Sequence, residues 1–315
     1  MTIQATKASY SNKEITKVDF INLMHQFHKV LFDFSDNLKD TEINKIEILD
    51  GNVVFTTRPT NYHPGGCSFF VDVFDKRVTP IDTFNFDLYE KEDSEMFYSL
   101  INDGDTIFDI GANIGWYSCH IAKMFPKSVI YSFEPIPDTF LKLERNVNLN
   151  QFSNIRVHNL PFYSHKEIID FYYSPFVTGA SGAINITEND SMHTIACETD
   201  TIDNFISVHN IDKIDIIKCD VEGAEFYVFQ GGGDALKKYK PIVFSEMLRK
   251  WAAKFGYTPN DIIRWMENLE YECFICSEKK LLKIESVSED TVHTNFFFLN
   301  KERHINLINQ YTLHV

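Results

Sequence analysis

The chain has 315 residues, with 45 acidic against 30 basic side chains and a formal net charge of −15 at pH 7. This length suits one large α/β domain with an added segment, or two modest domains, and excludes two complete enzymes. The negative charge repels polyanions, which argues against nucleic acid or an anionic lipid surface as partner and favours a neutral or small-molecule substrate.

The six cysteines are scattered, and only Cys273 and Cys276 lie close together. A single close pair lacks the second pair that a structural zinc site needs, so reduced thiols in a cytoplasmic protein are expected. No N-terminal stretch has the pattern of a secretion signal, and no apolar run reaches the roughly 20 residues of a membrane helix. The sequence therefore predicts a soluble, cytoplasmic protein without membrane insertion.

Residues 1–102 predict an extension of mixed α and β structure. Apolar residues recur at three- and four-residue steps over 12–39, which indicates an amphipathic helix. Residues 46–55 have the pattern of a β-hairpin, and a further strand is expected at 68–74. A helix is predicted at 90–101. The role of the extension stays open between packing, shaping an acceptor pocket and forming a homo-oligomer contact.

From residue 103 onward, apolar runs of strand length alternate with helical segments. This alternation predicts an α/β fold with a doubly wound parallel sheet. The expected strands are 106–110, 128–133, 155–160, 214–219, 242–246, 273–277 and 295–299. Because the last two come without a helix between them, the sheet is expected to end in an antiparallel hairpin.

A glycine-containing turn follows the first of these strands. It reads Asp109-Ile-Gly111-Ala112-Asn113-Ile-Gly115, which lets the backbone approach a ligand closely. A dinucleotide site would need a glycine where Asn113 stands. The carboxylate of Asp109 would repel a pyrophosphate, whereas S-adenosylmethionine brings an ammonium and a sulfonium group. The turn therefore favours a cationic cofactor over a dinucleotide.

A second carboxylate follows the next strand, which ends in Ser132-Phe133-Glu134-Pro135. At the tip of the neighbouring strand, Glu134 can accept hydrogen bonds from both ribose hydroxyls of a nucleoside. The alternative is that the glycine turn is purely structural and that Asp109 caps the following helix. The placement of Glu134 favours the S-adenosylmethionine interpretation.

A further group of ionisable residues is expected at the carboxyl end of the fourth strand. Lys218, Asp220 and Glu222 alternate there, so a persisting strand would put them on one face, and Glu246 ends the fifth strand. One carboxylate is a candidate general base. Alternatively, Asp220, Glu222 and Glu246 hold a divalent cation, or the first two cap a helix with Lys218 as their partner.

At this point the chain resembles the FkbM-like family of methyltransferases, through 109–115, 132–135 and 218–225 in this order. The resemblance extends over about 103–300. It implies the Rossmann-like fold of class I methyltransferases, whose seven-stranded sheet also ends in an antiparallel hairpin. It also implies S-adenosylmethionine as methyl donor and O-methylation of a hydroxyl on a sugar, glycan or secondary metabolite.

The resemblance carries over to particular residues. It implies cofactor contacts at Asp109, Gly111, Gly115 and Glu134, and it places Asp220 between donor and acceptor. Ala112, Asn113 and Pro135 belong to the same motifs and are expected to contact the cofactor. Phe162, after the third strand, is an expected adenine contact, although the family commonly has small residues there. Cys219 is a second departure, because the family usually has an apolar residue at that position.

Residues 174–182 are expected to form a loop that covers the acceptor, with Thr178, Ser181 and Gly182 as substrate contacts. The alternative is an ordinary surface loop. The sequence thus predicts a methyltransferase domain at 103–315 that acts on a small-molecule or glycan acceptor. Two other classes stay open: an inactive S-adenosylmethionine-binding scaffold protein, and a nicotinamide-dependent oxidoreductase.

Overall fold

The structure is a computed structural model that describes residues 2–60, 64–75, 77–86, 90–174, 177–184 and 192–312, with the backbone alone for 177–180. The extension contains α1 (Ile3–Ser11), α2 (Lys17–Asn37), β1 (Ile43–Leu49), β2 (Asn52–Thr57), β3 (Ser68–Phe70), α3 (Ile81–Phe86) and α4 (Lys91–Ser99). Among the residues described, no helix is both long and apolar enough to cross a bilayer.

The remaining elements alternate in type along most of the chain. They are β4 (Thr106–Ile110), α5 (Trp116–Met124), β5 (Val129–Phe133), α6 (Pro137–Leu149), β6 (Ile155–His158), β7 (Ile168–Ser174), β8 (Val177–Gly182), β9 (His193–Glu198), α7 (Ile202–His209), β10 (Ile216–Cys219), α8 (Glu225–Gln230), α9 (Gly233–Tyr239), β11 (Ile242–Glu246), α10 (Arg249–Lys254), α11 (Pro259–Glu267), β12 (Tyr271–Ser277), β13 (Lys280–Ile284), β14 (Asn295–Asn300) and α12 (Ile305–Tyr311).

The large sheet has the strand order β13-β12-β14-β11-β10-β4-β5-β6 in the described part of the chain. Strands β6, β5, β4, β10 and β11 are parallel, and β14 and β12 add antiparallel strands beyond β11. The α/β doubly wound sheet with an antiparallel end, predicted as a class I methyltransferase fold, is confirmed. The order reverses between β4 and β10, which is where open α/β sheets bind ligands.

Two hydrophobic clusters cover the two faces of this sheet. Ile107 and Ile216 point to the cluster that includes α4 and α5, whereas Phe108 and Ile217 point to the cluster on the other face. This alternation follows from the two-residue period of a strand. Strands buried on both faces need nearly continuous apolar runs, which explains why most of the central strands could be read from the sequence.

The strand positions of the large sheet were predicted well, with β13 as the one omission among the described residues; β7 and β9, which lie outside this sheet, were also not predicted. All seven expected strands of the large sheet are present, with bounds that differ by a few residues at most. The hairpin predicted between the last two strands is more complex, because β13 intervenes in the chain and pairs with the outer edge of β12. In the extension, the helix expected over 12–39 corresponds to α2, and α1 precedes it as a separate helix.

The predicted acceptor loop at 174–182 is wrong as a loop. Most of it forms β8, which pairs with β7 in a separate three-stranded antiparallel sheet of order β8-β7-β9. The glycines and hydroxyls suggested an irregular segment, but strand pairing with the Ile168–Ser174 segment overrides these weak local preferences. The small sheet lies in the chain between β6 and α7.

The extension is held to the main body by amide side chains of α6. The Asn146 side chain accepts a hydrogen bond from the Phe70 amide at 3.0 Å and donates to the Ile114 carbonyl at 2.9 Å. Asn150 bonds both the amide and the carbonyl of Ser68. These bonds satisfy edge groups of β3 that would otherwise lack partners. Residues on both sides of the predicted boundary at 102 also share one hydrophobic cluster.

We expect Asn146→Ala to lower the free energy of unfolding by about 2 kcal/mol or more, because it leaves the buried Phe70 amide and Ile114 carbonyl without these partners. Asn148→Ala on the exposed face of the same helix is the matched control, with an expected change within about 0.5 kcal/mol. Urea titration measures both. Equal effects of the two substitutions would contradict this role for Asn146.

Candidate active site

A cavity opens where the sheet order reverses, at the carboxyl ends of the parallel strands. Its described lining residues are Ile110, Gly111, Asn113, Phe133, Glu134, Pro135, Leu160, Pro161, Phe162, Tyr163, Phe171, Ser181, Ala183, Asp220, Val221, Glu222, Ala224 and Glu246. They come from the ends of β4, β5, β6, β10 and β11 and from the small sheet. Among the predicted cofactor residues, Gly111, Asn113, Glu134, Pro135, Phe162 and Asp220 therefore meet at one cavity.

The glycine turn lies against the end of β10 and leaves no room for side chains. A Cβ on Gly111, whose φ is +76°, would lie 1.8 Å from the Asp220 carbonyl oxygen. Gly115 packs against α6, where a Cβ would lie 2.6 Å from the Leu143 side chain. The amides of Gly111 and Ala112 both donate to the Phe133 carbonyl. Two amides that a dinucleotide pyrophosphate would need are thus already bonded.

Glu134 joins the glycine turn to the next strand. One carboxylate oxygen accepts the Asn113 amide and the other accepts the Ile136 amide, each at 3.0 Å. Burial raises the pKa of Glu134 to about 7, although these two hydrogen bonds favour its charged form. The two amides fix the orientation of the carboxylate at the cavity wall. The side chain is thereby set in place before a ligand arrives.

Lys218 lies beneath the cavity as a buried cation. Its Nζ is 3.5 Å from the Asp109 carboxylate and 3.4 Å from that of Asp220, and it donates to the Gly111 carbonyl at 3.0 Å. Burial opposes its charge, but the carboxylates of Asp220 and Asp109 outweigh burial and raise its pKa. Asp109 also accepts a 2.5 Å hydrogen bond from Ser118.

The position of Asp109 bears on its predicted role. Its side chain is fully buried, beside the ammonium group of Lys218, and is not among the lining residues of the cavity. Gly115 and Ala112 are likewise not among the described lining residues. A direct cofactor contact at these three positions stays a prediction. In the structure Asp109 pairs with a cation of the chain itself.

Three predicted acids converge at the cavity. Carboxylate oxygens of Asp220, Glu222 and Glu246 lie within 4.8 Å of one another. Burial, followed by repulsion from Asp220, raises the pKa of Glu222 well above its usual value. The same two causes raise the pKa of Glu246 to about 10. The cluster therefore carries more acid groups than can ionise together in the absence of an added cation.

The three acids converge for a different structural reason from the one predicted. Alternation along a persisting strand was expected to align Lys218, Asp220 and Glu222, but β10 ends at Cys219. Glu222 instead sits in a turn with φ +55°. That turn is held by Glu225, whose carboxylate accepts the amides of Val221 and Gly223 and the hydroxyl of Tyr257. Sequence reasoning missed this role of Glu225, although the acid lies within the quoted motif.

A fourth acid near the cluster comes from the extension. Glu90, just before α4, accepts hydrogen bonds from the Tyr117 hydroxyl at 2.7 Å and from Asn295 at 3.0 Å. Its carboxylate contributes to the raised pKa of Glu246. Nothing in the local pattern around Glu90 indicates this position, because α4, α5 and β14 meet only in the folded chain. The predicted helix at 90–101 was expected as part of the extension, whose role stayed open between packing, shaping an acceptor pocket and forming a homo-oligomer contact.

The predicted substrate contacts lie at one edge of the cavity. Ser181 lines it, and its buried Oγ has no hydrogen-bond partner among the described residues. Gly182 faces Glu222, because a Cβ on this glycine would lie 3.5 Å from that of Glu222. The side chain of Thr178 is outside the described residues. Asn113 Oδ1 is a second buried cavity atom without a described partner.

The sequence model of the Methyltransferase FkbM domain matches residues 109–273, which is more than half of the chain. The matched region runs from the glycine turn through both acid motifs to the start of β12. The chain belongs to the FkbM methyltransferase family. The predicted family is thereby confirmed.

Similarity to individual proteins is weaker and partial. Methyltransferase 1 of Beauveria bassiana is 26% identical over 149 residues, covering 42% of this chain and 60% of that protein. Hexuronic acid methyltransferase AglP of Haloferax volcanii is 27% identical over 141 residues, covering 45% and 55%. The 2-O-methyltransferase NoeI of Sinorhizobium fredii is 29% identical over 158 residues, covering 46% and 64%. The chain therefore spans less than two thirds of each of these relatives.

Among solved structures, the Methyltransferase FkbM from Methylobacillus flagellatus KT is 15% identical to this chain with a TM-score of 0.41. The match covers 67% of this chain and 56% of that one.

The raised pKa values predict an unusual pH dependence of stability. Folding raises the pKa of Glu246 to about 10 and those of Glu134 and Glu225 to about 7, so the folded chain retains protons that the unfolded chain releases. Stability without ligand should therefore fall as pH rises from about 6.5 to about 8, by on the order of 1 kcal/mol per pH unit for each retained proton. Urea titration across this range measures it.

Two histidines contribute to this pH dependence with the opposite sign, and a pair of substitutions provides the control. The pKa values of His158 and His304 are lowered to about 4, so their opposite contribution to stability grows from about pH 4 and levels off above the ordinary histidine pKa of 6.5. Glu246→Gln removes one retained proton and should flatten the decline. Glu144→Gln, on the exposed face of α6, should leave it unchanged. A stability that rises with pH in the native chain would refute the protonated cluster.

Proposed function

We propose that the protein is an S-adenosylmethionine-dependent methyltransferase that methylates a hydroxyl of a sugar, glycan or secondary metabolite. The observation that carries the proposal is the cavity where the sheet order reverses, which is lined both by Asp220 and by Glu134, whose carboxylate is held by two amides. Family membership supports the reaction class. The named relatives that act on a hexuronic acid or at a 2-O position support a hydroxyl acceptor.

The residues present fit the proposed cofactor. Glu134 offers carboxylate oxygens at the cavity wall to the hydroxyls of a ribose, and Asn113 adds a buried oxygen that lacks a described partner. Phe162 is buried and packs against Phe133 at a ring distance of 4.5 Å, so an apolar wall is available for a purine. The unpaired acids near Asp220 suit a ligand with ammonium and sulfonium groups.

The chemistry asks little of the side chains beyond orientation and proton transfer. When bound, S-adenosylmethionine supplies an electrophilic methyl group, so that a C–O bond forms with the acceptor while the C–S bond breaks. Asp220 lies at the cavity with its carboxylate held by Lys218 at 3.4 Å. In the proposed mechanism this carboxylate orients the acceptor hydroxyl and accepts its proton. Lys218 and Asp109 keep it in place from below.

A divalent cation at Asp220, Glu222 and Glu246 is the second proposal for this cluster, and the approach of their oxygens to within 4.8 Å favours it. A charge argument disfavours it, because the Asp220 carboxylate is already paired with the Lys218 ammonium at 3.4 Å and is therefore a poorer ligand for a metal ion. We therefore expect turnover to stay within about twofold after chelator treatment and dialysis. Loss of turnover, restored by Mg²⁺ or Mn²⁺, would establish the metal instead.

The wider setting follows the same inference. We propose one methyltransferase domain at 103–315 with the extension attached, located in the cytoplasm and without a nucleic acid partner. Six free cysteines and the net charge of −15 support these two points. The exposed apolar residues of α2, such as Val18 and Leu31, support a homo-oligomer contact.

Substitutions of Glu134 and Asp220 test whether the first binds the cofactor and the second accepts the proton. Glu134→Gln should weaken binding of S-adenosylhomocysteine by about tenfold or more, since it removes the charged acceptor for the ribose hydroxyls. Asp220→Asn should leave that binding within about threefold and lower turnover by about 100-fold. Calorimetry gives the affinities, and methyl transfer from labelled S-adenosylmethionine gives the turnover.

The controls separate the alternatives. Glu144→Gln should change neither quantity, because this side chain is exposed on α6 away from the cavity lining. Full turnover in Asp220→Asn would exclude a proton-accepting role for that residue. Binding of S-adenosylhomocysteine with no transfer to any sugar or polyol acceptor would favour the scaffold alternative. Stabilisation by NAD in place of S-adenosylhomocysteine would overturn the function altogether.

A further inference from the structure

The cavity is strongly acidic. Among its described lining residues are the carboxylates of Glu134, Asp220, Glu222 and Glu246, and none of those residues is lysine, arginine or histidine. The buried ammonium of Lys218 is shared by Asp109 and Asp220. The described wall of the cavity therefore carries more acid groups than the chain balances with cations there.

We propose that the acceptor carries a basic nitrogen besides the hydroxyl that is methylated, as in an amino sugar or another amino polyol. Its ammonium group binds between Glu222 and Glu246, and its hydroxyl lies at Asp220. This inference rests on the proposed methyltransferase function and narrows the substrate class. It separates recognition of the acceptor from the proton transfer.

The geometry of the acids suits an ammonium group. An ammonium has three N–H donors, and carboxylate oxygens of Asp220, Glu222 and Glu246 lie within 4.8 Å of one another, close enough for one nitrogen to bond two of them. Within the described part of the chain, no hydrogen bond or ion pair occupies the carboxylate of Glu222 or of Glu246. Because these two acids are largely buried and have no described partner, their charged forms are unfavourable, and an entering cation would stabilise them.

The cofactor alone does not balance the site. S-adenosylmethionine has an ammonium and a sulfonium, but its own carboxylate leaves it with one net positive charge. Glu134 is assigned to the ribose, so that single charge is shared among the three clustered acids Asp220, Glu222 and Glu246. With a neutral acceptor, at least one of these three acids has to stay protonated. The ammonium group of a basic acceptor supplies the counter-charge that lets it ionise.

An independent feature of the small sheet points to a polar ligand at the same place. Ser181 lines the cavity, its buried Oγ has no described partner, and buried hydroxyls in native proteins are usually hydrogen-bonded. The neighbouring Gly182 lies close to Glu222, because a Cβ on this glycine would be in van der Waals contact with the Cβ of that acid. Ser181 is therefore positioned to bond a hydroxyl of a ligand whose ammonium group is at Glu222.

The charge pattern also disfavours anionic acceptors. A uronic acid or a phosphorylated sugar would bring a negative group to a wall of carboxylates, which costs Coulomb energy. In this respect the proposed acceptor differs from that in the name of the Haloferax volcanii relative, which is a hexuronic acid methyltransferase.

Three sugars with similar rings and different charge test this proposal. Glucosamine, N-acetylglucosamine and glucuronic acid are titrated into the protein saturated with S-adenosylhomocysteine, and the thermal midpoint and calorimetric affinity are measured. We expect glucosamine to bind at least about tenfold more tightly than the other two. Equal or tighter binding of the neutral or anionic sugar, or no binding of glucosamine at millimolar concentration, would overturn the proposal.

Variants locate the binding group. Glu222→Gln and Glu246→Gln should each weaken glucosamine binding by about tenfold while S-adenosylhomocysteine still binds, and Glu144→Gln should have no effect. Glucosamine binding that is unchanged in both acid variants would place its ammonium elsewhere and refute the site. Binding of the neutral sugar that appears only with Mg²⁺ would show that a metal balances the acids instead. If the native chain does not bind S-adenosylhomocysteine, the proposed function itself is refuted.

Discussion

The buried ammonium of Lys218 is the interaction on which the site depends. It joins β10 to β4 through Asp109, holds the glycine turn through the Gly111 carbonyl, and contacts the Asp220 carboxylate at the cavity. An unpaired lysine at this depth would lose its charge or destabilise the fold. Its partners therefore have to be acids. Asp109 lies directly opposite Lys218 in the neighbouring parallel strand β4, and Asp220 follows Lys218 by two residues, just after the end of β10.

This arrangement explains why the glycine turn is built as it is. The close approach of the turn to β10 puts the Asp220 carbonyl where a side chain on Gly111 would otherwise lie. The amides of the turn are used within the protein, by the Phe133 carbonyl and the Glu134 carboxylate. The carboxylate at the cavity is that of Glu134, which is oriented by the Asn113 amide of the turn and by the Ile136 amide. Such a site selects hydroxyls and cations and disfavours phosphate.

The sequence was sufficient for the sheet and for part of the site. Strands buried on both faces have continuous apolar runs, and acids at their carboxyl ends must meet at one edge, so Glu134, Asp220 and Glu246 could be assigned to one cavity. The orientation of Asp109 could not, because burial beside Lys218 depends on which face of β4 the helix α5 covers. β8 was missed because its pairing partner, and not its composition, makes it a strand.

The extension illustrates a different limit, because it contributes to the site only through tertiary contacts. Glu90 and Asn295 are bonded to each other, and both lie outside the region 109–273 that the FkbM domain model matches. Tyr117 donates to Glu90 from within that region. Glu90 in turn contributes to the raised pKa of Glu246. The proposed cofactor side is thus lined by matched residues, whereas the charge on the proposed acceptor side also depends on an unmatched one. On the proposed roles, relatives that share the domain can share the cofactor and differ in the acceptor.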